Sequence, residues 1–554
     1  MWLQLLLAVI VWAPELSGRA QPAGGFRDVL KYGAKPDGKT LCTAAINQAI
    51  GECSAAGGGS VVFPAGRYLC GSLELSNNVT LLLEAGAVIA ASANAADYGS
   101  QRTTVIGEVA GEGLLTARHA SNIAITGRGV IEGNGMFFVD PVRLKLVEGK
   151  DYEKKYIRQG EDYLNPKYGS ADGPLDPSDN RPGNLIRFID CTNVLLSGVT
   201  IQNSPIWTVL VANSERVNID GISINSFGSG RRVPNDDGID LVQSRLVHIS
   251  GCDIQNGDDC IAVLGSEKIT VDNCTLSSRS TAVRVGFAGR DIRDCVFANL
   301  VIHDSNRGLG VYVRGAGSVE NVLFSDIVIR TRLMTGHWWG KAEPIHISAI
   351  VRDTNTVQIG EIKNIRFRNI IAEGEDGIIV CGSPQSRIKD VVFDGVKIRM
   401  KNGPLQESYG GNFDLRSSLD LSHALFAHDI PAFYGRFVDG LDLRGFKVEW
   451  AADAPKFFSH AIELEDFRRV RIDAFDGCAA PNAPGAAAIS LARGGVISIR
   501  DCRAAEGTGT FLRTLEGVEG GLFVNNDLRA AKKASEPAQI NFQSSANLPP
   551  AAGP

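Results

Sequence analysis

One short pattern recurs along the middle of the chain, and this repeat constrains the fold more than any other feature. Each copy has an alternating apolar and polar run, then Gly, Asn or Asp, then a second alternating run. Alternation with a period of two is typical of β-strands and excludes helical repeats. The clearest copies cover residues 194–201, 217–224, 247–254, 269–276, 322–329, 365–371 and 391–398.

The Gly, Asn or Asp between the two runs is predicted to form a corner. These residue types accept the left-handed backbone conformation that bends one strand into the next. Aligned corners fall at Gly198, Gly221, Gly251, Asn273, Asn299, Asp326, Asn369 and Gly395. The successive separations are 23, 30, 22, 26, 27, 43 and 26 residues. A coil this short must stack on its neighbours to bury its apolar face, which predicts an all-β fold, a right-handed parallel β-helix.

The domain organisation follows from where the pattern continues and where it stops. Weaker copies reach about residue 525, so residues 21–530 are predicted to form a single β-helix domain. Interruptions predict insertions near 137–182, 331–360 and 401–438. Residues 40–53 have helical spacing, and a helix there would cap the open end of the solenoid. The Ala-, Pro- and Ser-rich residues 531–554 are predicted to be a disordered tail.

Residues 1–20 are similar to a secretory signal peptide. The apolar run from Trp2 to Trp12 is too short to span a membrane, and small residues end this segment at Ala20. In contrast to most signals, no Lys or Arg precedes the apolar run. No later stretch is long and apolar enough for a membrane helix. We therefore expect a protein that is secreted, extracellular or periplasmic, with no membrane partner.

Charge and cysteine content limit the other partners. The formal net charge of −6 argues against a nucleic-acid partner, and we expect a monomer. Export would permit the 11 Cys to form disulfides. However, several of them follow a corner residue at the start of a strand, and we expect most to pack in the core. These are Cys252, Cys274, Cys295 and Cys502.

Two acidic clusters stand about one coil apart. Residues 234–240 contain Asp237, and residues 256–263 contain Asp258 and Asp259. Asp237 and Asp258 are 21 residues apart, which places them on neighbouring coils. Carboxylates this close repel one another, so the pKa of at least one should rise. A protonated acid beside ionised carboxylates is what glycosidic hydrolysis requires.

Each acidic cluster alone also fits an ordinary turn, because Asp-Gly and Asn-Gly are common turn sequences. The one-coil spacing of the pair favours a catalytic site. Side chains alternate along a strand, so adjacent Asp258 and Asp259 cannot both face the site from a regular strand. Gly257 is expected to permit the local twist that brings both carboxylates there.

On these motifs the chain resembles glycoside hydrolase family 28, the polygalacturonase family. Asn235-Asp-Asp-Gly238 resembles the family's Asn-Thr-Asp-Gly motif, and Gly257-Asp-Asp-Cys260 resembles its Gly-Asp-Asp motif. Residues 32–38 and 56–68 resemble the opening of pectin-active β-helix enzymes. The resemblance covers about residues 25–400 and implies a polysaccharide substrate of galacturonan or rhamnogalacturonan type.

The resemblance also implies the role of each aspartate. Asp258 would be the general acid, and Asp237 and Asp259 would activate water on the opposite face of the sugar. The family inverts anomeric configuration, for which the general rule is a carboxyl separation of ~6.5–9.5 Å. The resemblance implies no metal and no cofactor.

Two departures from the family pattern concern the substrate. The usual Gly-His-Gly motif would fall near Ser280-Thr-Ala282, and the usual Arg-Ile-Lys motif at Tyr312-Val-Arg314. The loss of these motifs argues against plain polygalacturonan and favours a rhamnogalacturonan or another pectic side structure. Arg387-Ile-Lys389 spells the second motif, but it begins a later coil and is interpreted as a surface strand.

The remaining candidates would bind substrate. Arg284 and Arg314 end alternating strands just after the aspartates, where either could pair with a uronic acid carboxylate or remain an exposed arginine of the outer face. Trp338 and Trp339 lie in a predicted loop, where they could stack on sugar or one could anchor the loop. Asn235 and Tyr312 are included because they occupy the family motif positions.

Two other functions stay open on the sequence alone. A polysaccharide lyase would use Asp237, Asp240, Asp258 and Asp259 as calcium ligands, with Arg284 or Arg314 as the base. A non-catalytic β-helix would use its surface for adhesion or carbohydrate binding. The paired family motifs favour hydrolysis.

Overall fold

The structure is a computed structural model that describes most of residues 25–550. The described range excludes residues 102, 106–107, 146–152, 166, 168–171, 227–232, 288, 353–357, 417, 419–423 and 539–540. The predicted signal peptide, residues 1–20, lies outside the described residues, as do residues 551–554.

Among the described residues, fifteen parallel strands form one long sheet, called the first sheet below. Each strand pairs with the corresponding strands of the preceding and following coils. In chain order they are Leu73–Leu75, Leu115–Arg118, Ile186–Ile189, Val209–Ala212, Ile239–Val242, Ile261–Leu264, Thr281–Gly286, Arg307–Val313, Ile345–Ala349, Ile378–Cys381, Phe433–Arg436, Ile462–Glu465, Ala487–Ala492, Thr510–Thr514 and Lys533–Glu536.

A second sheet contains the two runs of each repeat, before and after the corner. In the described part of the chain it has 29 strands. They are Gly25–Asp28, Asp37–Leu41, Gly59–Phe63, Gly66–Cys70, Val79–Leu83, Ala87–Ala91, Ser121–Gly127, Val130–Glu132, Thr192–Ser197, Thr200–Gln202, Glu215–Asp220, Ser223–Asn225, Arg245–Ser250, Asp253–Asn256, Glu267–Asp272, Thr275–Ser278, Ile292–Ala298, Val301–Ser305, Val319–Thr331, Ile362–Gly374, Ile388–Met400, Val438–Arg444, Lys447–Trp450, Arg468–Asp473, Asp476–Gly477, Ile497–Arg500, Arg503–Ala504, Gly521–Val524 and Phe542–Ser545. The two sheets form a parallel β-helix, the fold class that the sequence predicted.

The remaining elements are short and lie at the start of the β-helix or in its loops. In the part of the chain that the structure describes, the α-helices are Thr43–Ala55 and Gln406–Tyr409, and the 3₁₀ helices are Val29–Tyr32, Ala95–Asp97, Gly135–Phe138, Glu153–Lys155 and Gly160–Asp162. Antiparallel pairs join Thr103–Val105 to Glu108–Ala110, Val139–Leu144 to Leu175–Pro177, and Asn412–Asp414 to Leu425–Ala427. The first α-helix confirms the helix predicted over 40–53, and it buries Ile46, Ala49, Ile50 and Cys53.

The predicted corners are confirmed by the backbone. All eight aligned corner residues have positive φ, between 52° and 74°. Four of them are Gly, and the other four are Asn or Asp, which accept the same left-handed conformation at small cost. The corner is therefore the physical reason for the Gly, Asn or Asp in every repeat.

Aromatic side chains stack inside the β-helix two residues before successive corners. Phe297, Phe324, Phe367 and Phe393 form a column with ring centroids 5.0, 5.0 and 4.7 Å apart and interplanar angles of 15°, 5° and 9°. Each ring is fully buried. Stacked rings at this spacing add attraction beyond the burial of apolar area, so the column holds neighbouring coils in register.

The cysteines also pack in the core. All eleven are free, and ten of them, Cys252, Cys274, Cys295 and Cys502 included, are buried. Burial raises the pKa of the Cys295 and Cys502 thiols to about 12. The expectation that most cysteines are core residues is confirmed.

Two boundary predictions need correction. The segment predicted as an insertion over 331–360 includes Ile345–Ala349, which is a strand of the first sheet. The predicted disordered tail contains Lys533–Glu536 and Phe542–Ser545, which pair with Thr510–Thr514 and Gly521–Val524. Composition did not predict these two C-terminal strands, because the exposed edge of the preceding coil offers backbone hydrogen-bond partners to any extended segment. Within the described residues, none of the helices combines the length and apolar character needed to cross a membrane.

Candidate active site

Three aspartates meet at the start of two neighbouring strands of the first sheet. Asp237 precedes Ile239–Val242, and Asp258 and Asp259 precede Ile261–Leu264. Ile239 and Ile261 are in register, and the Gly238 N–H donates to the Asp259 carbonyl at 2.8 Å. One oxygen from each of the three carboxylates lies within 4.8 Å of the others. The one-coil spacing in the sequence thus places the aspartates together.

The turn at Gly257 explains how two adjacent aspartates face one site. Residues 257–260 lie between strands, so the alternation of a strand does not apply to them. The Gly257 N–H donates to Asp236 Oδ1 at 2.8 Å. A Cβ at Gly257 would lie 2.8 Å from Asp236 Oδ1 and from the Val233 carbonyl. Only glycine fits this position, and the turn directs both Asp258 and Asp259 into the site.

Arg284 compensates the negative charge of the cluster. Its Nε forms an ion pair with Asp259, and its Nη2 lies 3.4 Å from Asp237 and 3.9 Å from Asp240. Burial alone would lower the pKa of Arg284, but Asp259, Asp237 and Asp240 outweigh burial and raise it. The guanidinium therefore stays charged.

Burial and mutual repulsion favour the protonated forms of two aspartates. Burial, followed by the charge of Asp259, raises the pKa of Asp258 to about 7. Burial and the charges of Asp240, Asp258 and Asp259 raise the pKa of Asp237 well above its usual range. Arg284 opposes both shifts. The site thus combines an acid that holds its proton near neutral pH with a carboxylate, Asp259, that is ion-paired to arginine.

The nearest oxygens of the three carboxylates lie within 4.8 Å of one another. The turn at Gly257 and the direct pairing of neighbouring coils bring them this close. Two oxygens at this separation can both accept a hydrogen bond from one water at about 2.8 Å.

A cleft of about 420 Å³ opens over the three aspartates. Its walls are basic and aromatic. They include Lys145, Trp207, Asn235, Arg284, Phe287, Arg307, Tyr312, His337, Trp338, Trp339, Arg352 and Arg416. Basic side chains in the walls can pair with negative charge on a bound molecule.

Five of the six predicted substrate residues line the cleft, and one does not. Asn235, Arg284, Tyr312, Trp338 and Trp339 face it. Arg314 is buried, donates to the Ser348 carbonyl at 3.0 Å and to Ser348 Oγ at 2.9 Å, and lies outside the cleft lining. Its prediction as a substrate residue is wrong, because these hydrogen bonds hold the guanidinium between neighbouring coils. Arg387 and Lys389 also lie away from the cleft, contacting the Asp466 carbonyl and Glu361.

The two tryptophans differ in their surroundings. Trp338 is only 6% exposed, and its Nε1 donates to the Asp172 carbonyl. Trp339 is half-buried, with its ring 5.8 Å from that of Phe287. Trp338 therefore anchors its loop while forming part of the wall, and Trp339 presents more of its ring to the cleft.

Segments far apart in the sequence are hydrogen-bonded to each other around the cleft. Asn412 Nδ2 donates to Gln159 Oε1 at 2.8 Å, and Gln159 Nε2 donates to the Gly410 carbonyl at 2.9 Å. Arg416 Nη2 donates to the Trp338 carbonyl at 2.7 Å. The three loop segments within 137–182, 331–360 and 401–438 thus support one another above the aspartates.

No sequence pattern predicted four of the cationic side chains in the walls of the cleft. Lys145, Arg307, Arg352 and Arg416 line the cleft. Arg307 is paired with Glu343 at 3.1 Å, and Arg416 with Asp414 at 2.7 Å. Lys145 and Arg416 belong to loops without a repeating pattern, so no periodicity could place them.

The same three aspartates are the group in the described chain whose oxygens approach closely enough to share a cation. Arg284 already lies against Asp259 and near Asp237 and Asp240. A divalent cation would have to displace or repel this guanidinium. The donor set therefore fits an arginine better than it fits a metal ion.

A pair of carboxylates, one protonated and one ionised, is what most glycoside hydrolases use to cleave a glycosidic bond. The Glycosyl hydrolases family 28 model matches residues 53–409, and the chain belongs to this family. It is a glycoside hydrolase.

Three relatives of the chain are named as a polygalacturonase, a xylogalacturonan hydrolase and a galacturonosidase. A probable polygalacturonase of Vitis vinifera is 26% identical over 62% of this chain and 68% of its own length. A probable endo-xylogalacturonan hydrolase A of Aspergillus fumigatus is 26% identical over 52% of this chain and 64% of its own length. An exo-poly-alpha-D-galacturonosidase of Dickeya chrysanthemi is 28% identical over 42% of this chain and 41% of its own length. The chain thus spans about two fifths to two thirds of these relatives.

Solved structures share the fold. An exopolygalacturonase from Thermotoga maritima superposes with a TM-score of 0.54 at 25% identity, covering 69% of this chain and 88% of that one. A family 28 exopolygalacturonase from Yersinia enterocolitica gives a TM-score of 0.58 at 20% identity, covering 80% of this chain and 78% of that one.

Proposed function

We propose that the protein is a secreted, monomeric hydrolase that cleaves glycosidic bonds in a pectic polysaccharide of galacturonan or rhamnogalacturonan type. The observation that carries this proposal is the cluster of Asp237, Asp258 and Asp259 around Arg284. The basic walls of the cleft suit a uronic acid. The names of the relatives, which include polygalacturonase and probable rhamnogalacturonase A, agree with this substrate class.

Asp258 is the general acid in the proposed mechanism. Its pKa of about 7 keeps a proton on the carboxyl at mildly acidic pH, and this proton passes to the glycosidic oxygen as the bond breaks. Asp259 and Asp237 hold one water between their oxygens and orient it toward the anomeric carbon. Asp259, paired with Arg284, accepts the proton of that water.

Inversion at the anomeric carbon follows if that water attacks directly. The proposed mechanism therefore predicts inversion, and the stereochemistry can be measured directly. Proton NMR of the first product released shows its anomeric configuration. Retention would contradict direct attack and indicate a covalent intermediate on one of the aspartates.

Elimination is less favoured by the same geometry. Asp259, Asp237 and Asp240 raise the pKa of Arg284, which makes this residue a poor base. Arg314, the other base proposed for a lyase, is buried away from the cleft. A lyase would also need calcium where the Arg284 guanidinium lies.

The decisive experiment is product analysis on a panel of pectic polysaccharides, with and without a calcium chelator. Wild-type protein is expected to release saturated reducing sugars in chelator. Asp258→Asn is expected to lower kcat about 10³-fold, the usual weight of a general acid. Asp253→Asn, on the exposed face of the adjoining strand, is the matched control and should keep wild-type activity. An unsaturated product that requires calcium would overturn the proposal.

A further inference from the structure

A second cavity, called the side pocket here, lies next to the cleft on the first sheet. Its volume is about 390 Å³, and it is lined by residues that include Ile350, Cys381, Leu415, Phe426, Tyr434 and Phe437. Tyr312, which lines the cleft, is in register with Ser348, and Ser348 is in register with Cys381. Two strand spacings separate Tyr312 from Cys381, about 10 Å. An oligosaccharide spans this distance.

The cleft and the side pocket share their dividing wall. Ile350 and Val351 line the side pocket, whereas Arg352 lines the cleft. In the same way Leu415 lines the side pocket, and the next residue, Arg416, lines the cleft. Because consecutive residues face the two cavities, a polysaccharide that extends beyond the cleft meets the side pocket next.

The two cavities differ in chemistry. Lys145, Arg352 and other cations face the cleft, whereas aromatic and aliphatic side chains dominate the side pocket. The cation of the side pocket, Arg436, lies 3.3 Å from Asp466 and 3.6 Å from Glu465, and its guanidinium covers the Phe437 ring at 4.9 Å. Its charge is therefore already balanced. Aromatic rings stack on the C–H faces of sugars, and such a site favours an uncharged sugar over a uronate.

We propose that the side pocket binds a neutral sugar residue of the polysaccharide whose acidic residue occupies the cleft. This inference rests on the proposed function and specifies its substrate. The substrate is a heteropolymer that carries neutral sugars, rather than plain galacturonan. The altered sequences at 280–282 and 312–314 agree with it, because they remove family motifs expected for plain galacturonan.

The test compares binding of matched oligosaccharides by calorimetry, in an Asp258→Asn background to prevent turnover. The probes are a galacturonate oligomer, an oligomer of alternating galacturonate and rhamnose, and a xylose-substituted galacturonate oligomer, all of similar length. Gln385, exposed at the rim of the side pocket, is replaced by Trp to fill the pocket. Gln543→Trp, on the exposed surface of the last strand of the second sheet, adds the same ring elsewhere. Thermal unfolding checks that both variants fold.

The proposal expects at least one probe with neutral sugars to bind about tenfold more tightly than the galacturonate oligomer, a difference of about 1.4 kcal/mol. Gln385→Trp should abolish this preference, and Gln543→Trp should keep it. Equal affinities for all three probes, or a preference that survives Gln385→Trp, would overturn the proposal. If wild-type protein cuts no pectic polymer but Gln385→Trp abolishes the binding preference for neutral sugars, the proposed hydrolysis is contradicted and the side pocket proposal is supported. If pectin is cut and the preference survives, only the side pocket inference fails.

Discussion

Arg284 forms an ion pair with Asp259 from the next coil of the first sheet, at the floor of the cleft. The same guanidinium lies 3.4 Å from Asp237. One arginine thus contacts two of the three aspartates and opposes the rise in the pKa of Asp237 and of Asp258. Its removal should change the pH dependence of the enzyme as well as its rate.

Arg284→Gln is expected to move the alkaline limb of the pH profile of kcat/KM to higher pH. Arg284 lowers the pKa of Asp258, the general acid, so its loss allows this pKa to rise. Arg284→Lys keeps a positive charge and should shift the profile less. Arg245→Gln removes an arginine on the exposed face of the second sheet and serves as control. A shift to lower pH would contradict the assigned electrostatics.

Asp236 should make the folded protein less stable as the pH rises. Burial raises the pKa of this carboxyl from its ordinary value of 3.8 to about 8 in the folded protein. The pKa of Asp236 is higher in the folded protein than in the unfolded chain, so the protonated carboxyl stabilises the folded protein fully below about pH 4. This stabilisation is lost as the pH rises from about 4 to about 8. The free energy of unfolding falls by up to about 1.4 kcal/mol per pH unit in this window.

The check is Asp236→Asn, whose amide oxygen can still accept the Gly257 N–H. Unfolding in denaturant is measured at intervals from pH 4.5 to pH 8. The variant should lose less stability across this range than wild type, and Asp253→Asn should behave like wild type. Identical slopes for wild type and Asp236→Asn would show that Asp236 is ionised in the folded protein.

The two tryptophans are expected to give opposite results on truncation. Trp338→Ala removes a buried ring and the Asp172 hydrogen bond, and should cost about 3–5 kcal/mol of stability. Trp339→Ala removes a partly exposed ring and should leave stability nearly unchanged while raising KM about tenfold. Thermal unfolding and steady-state kinetics separate these outcomes. Loss of stability in both variants would mean that Trp339 is also a packing residue.

The phenylalanine column predicts a large, local stability effect. Phe367 stacks between Phe324 and Phe393, so Phe367→Ala removes two ring contacts and leaves a cavity. We expect a loss of about 3–5 kcal/mol, measured by denaturant unfolding. Ile371→Ala, in the same strand but 56% exposed, should cost far less. Similar losses for both would indicate that the column does not bear on stability.

The sequence predicted the fold because its key residues are under local backbone constraint. A corner such as Asn273 or Gly395 must adopt positive φ, so the residue type reveals the position without knowledge of the rest of the chain. The spacing of Asp237 and Asp258 then follows from the coil length. The prediction of a disordered C-terminal tail was wrong, because pairing with the exposed edge strand of a sheet depends little on composition. Lys533–Glu536 pairs with Thr510–Thr514 in this way.

The walls of the cleft were less accessible to prediction. Arg314 follows an alternating strand as Arg284 does, yet contacts with Ser348 turn it into the protein. No local pattern distinguishes these two arginines. Lys145 and Arg416 reach the cleft only through contacts between separate loops, and such contacts leave no periodic trace in the sequence.

Those loop contacts also bear on the order in which a newly made chain becomes an enzyme. Gln159 finds its partners at residues 410–412, about 250 positions later, and domains are synthesised from the N-terminus. A nascent chain that ends before residue 410 contains the three aspartates, but it lacks Arg416 and the contact that Arg416 makes with the Trp338 carbonyl. The acids of the cleft are therefore synthesised before part of its walls, and the walls are complete only when the later loop has been added.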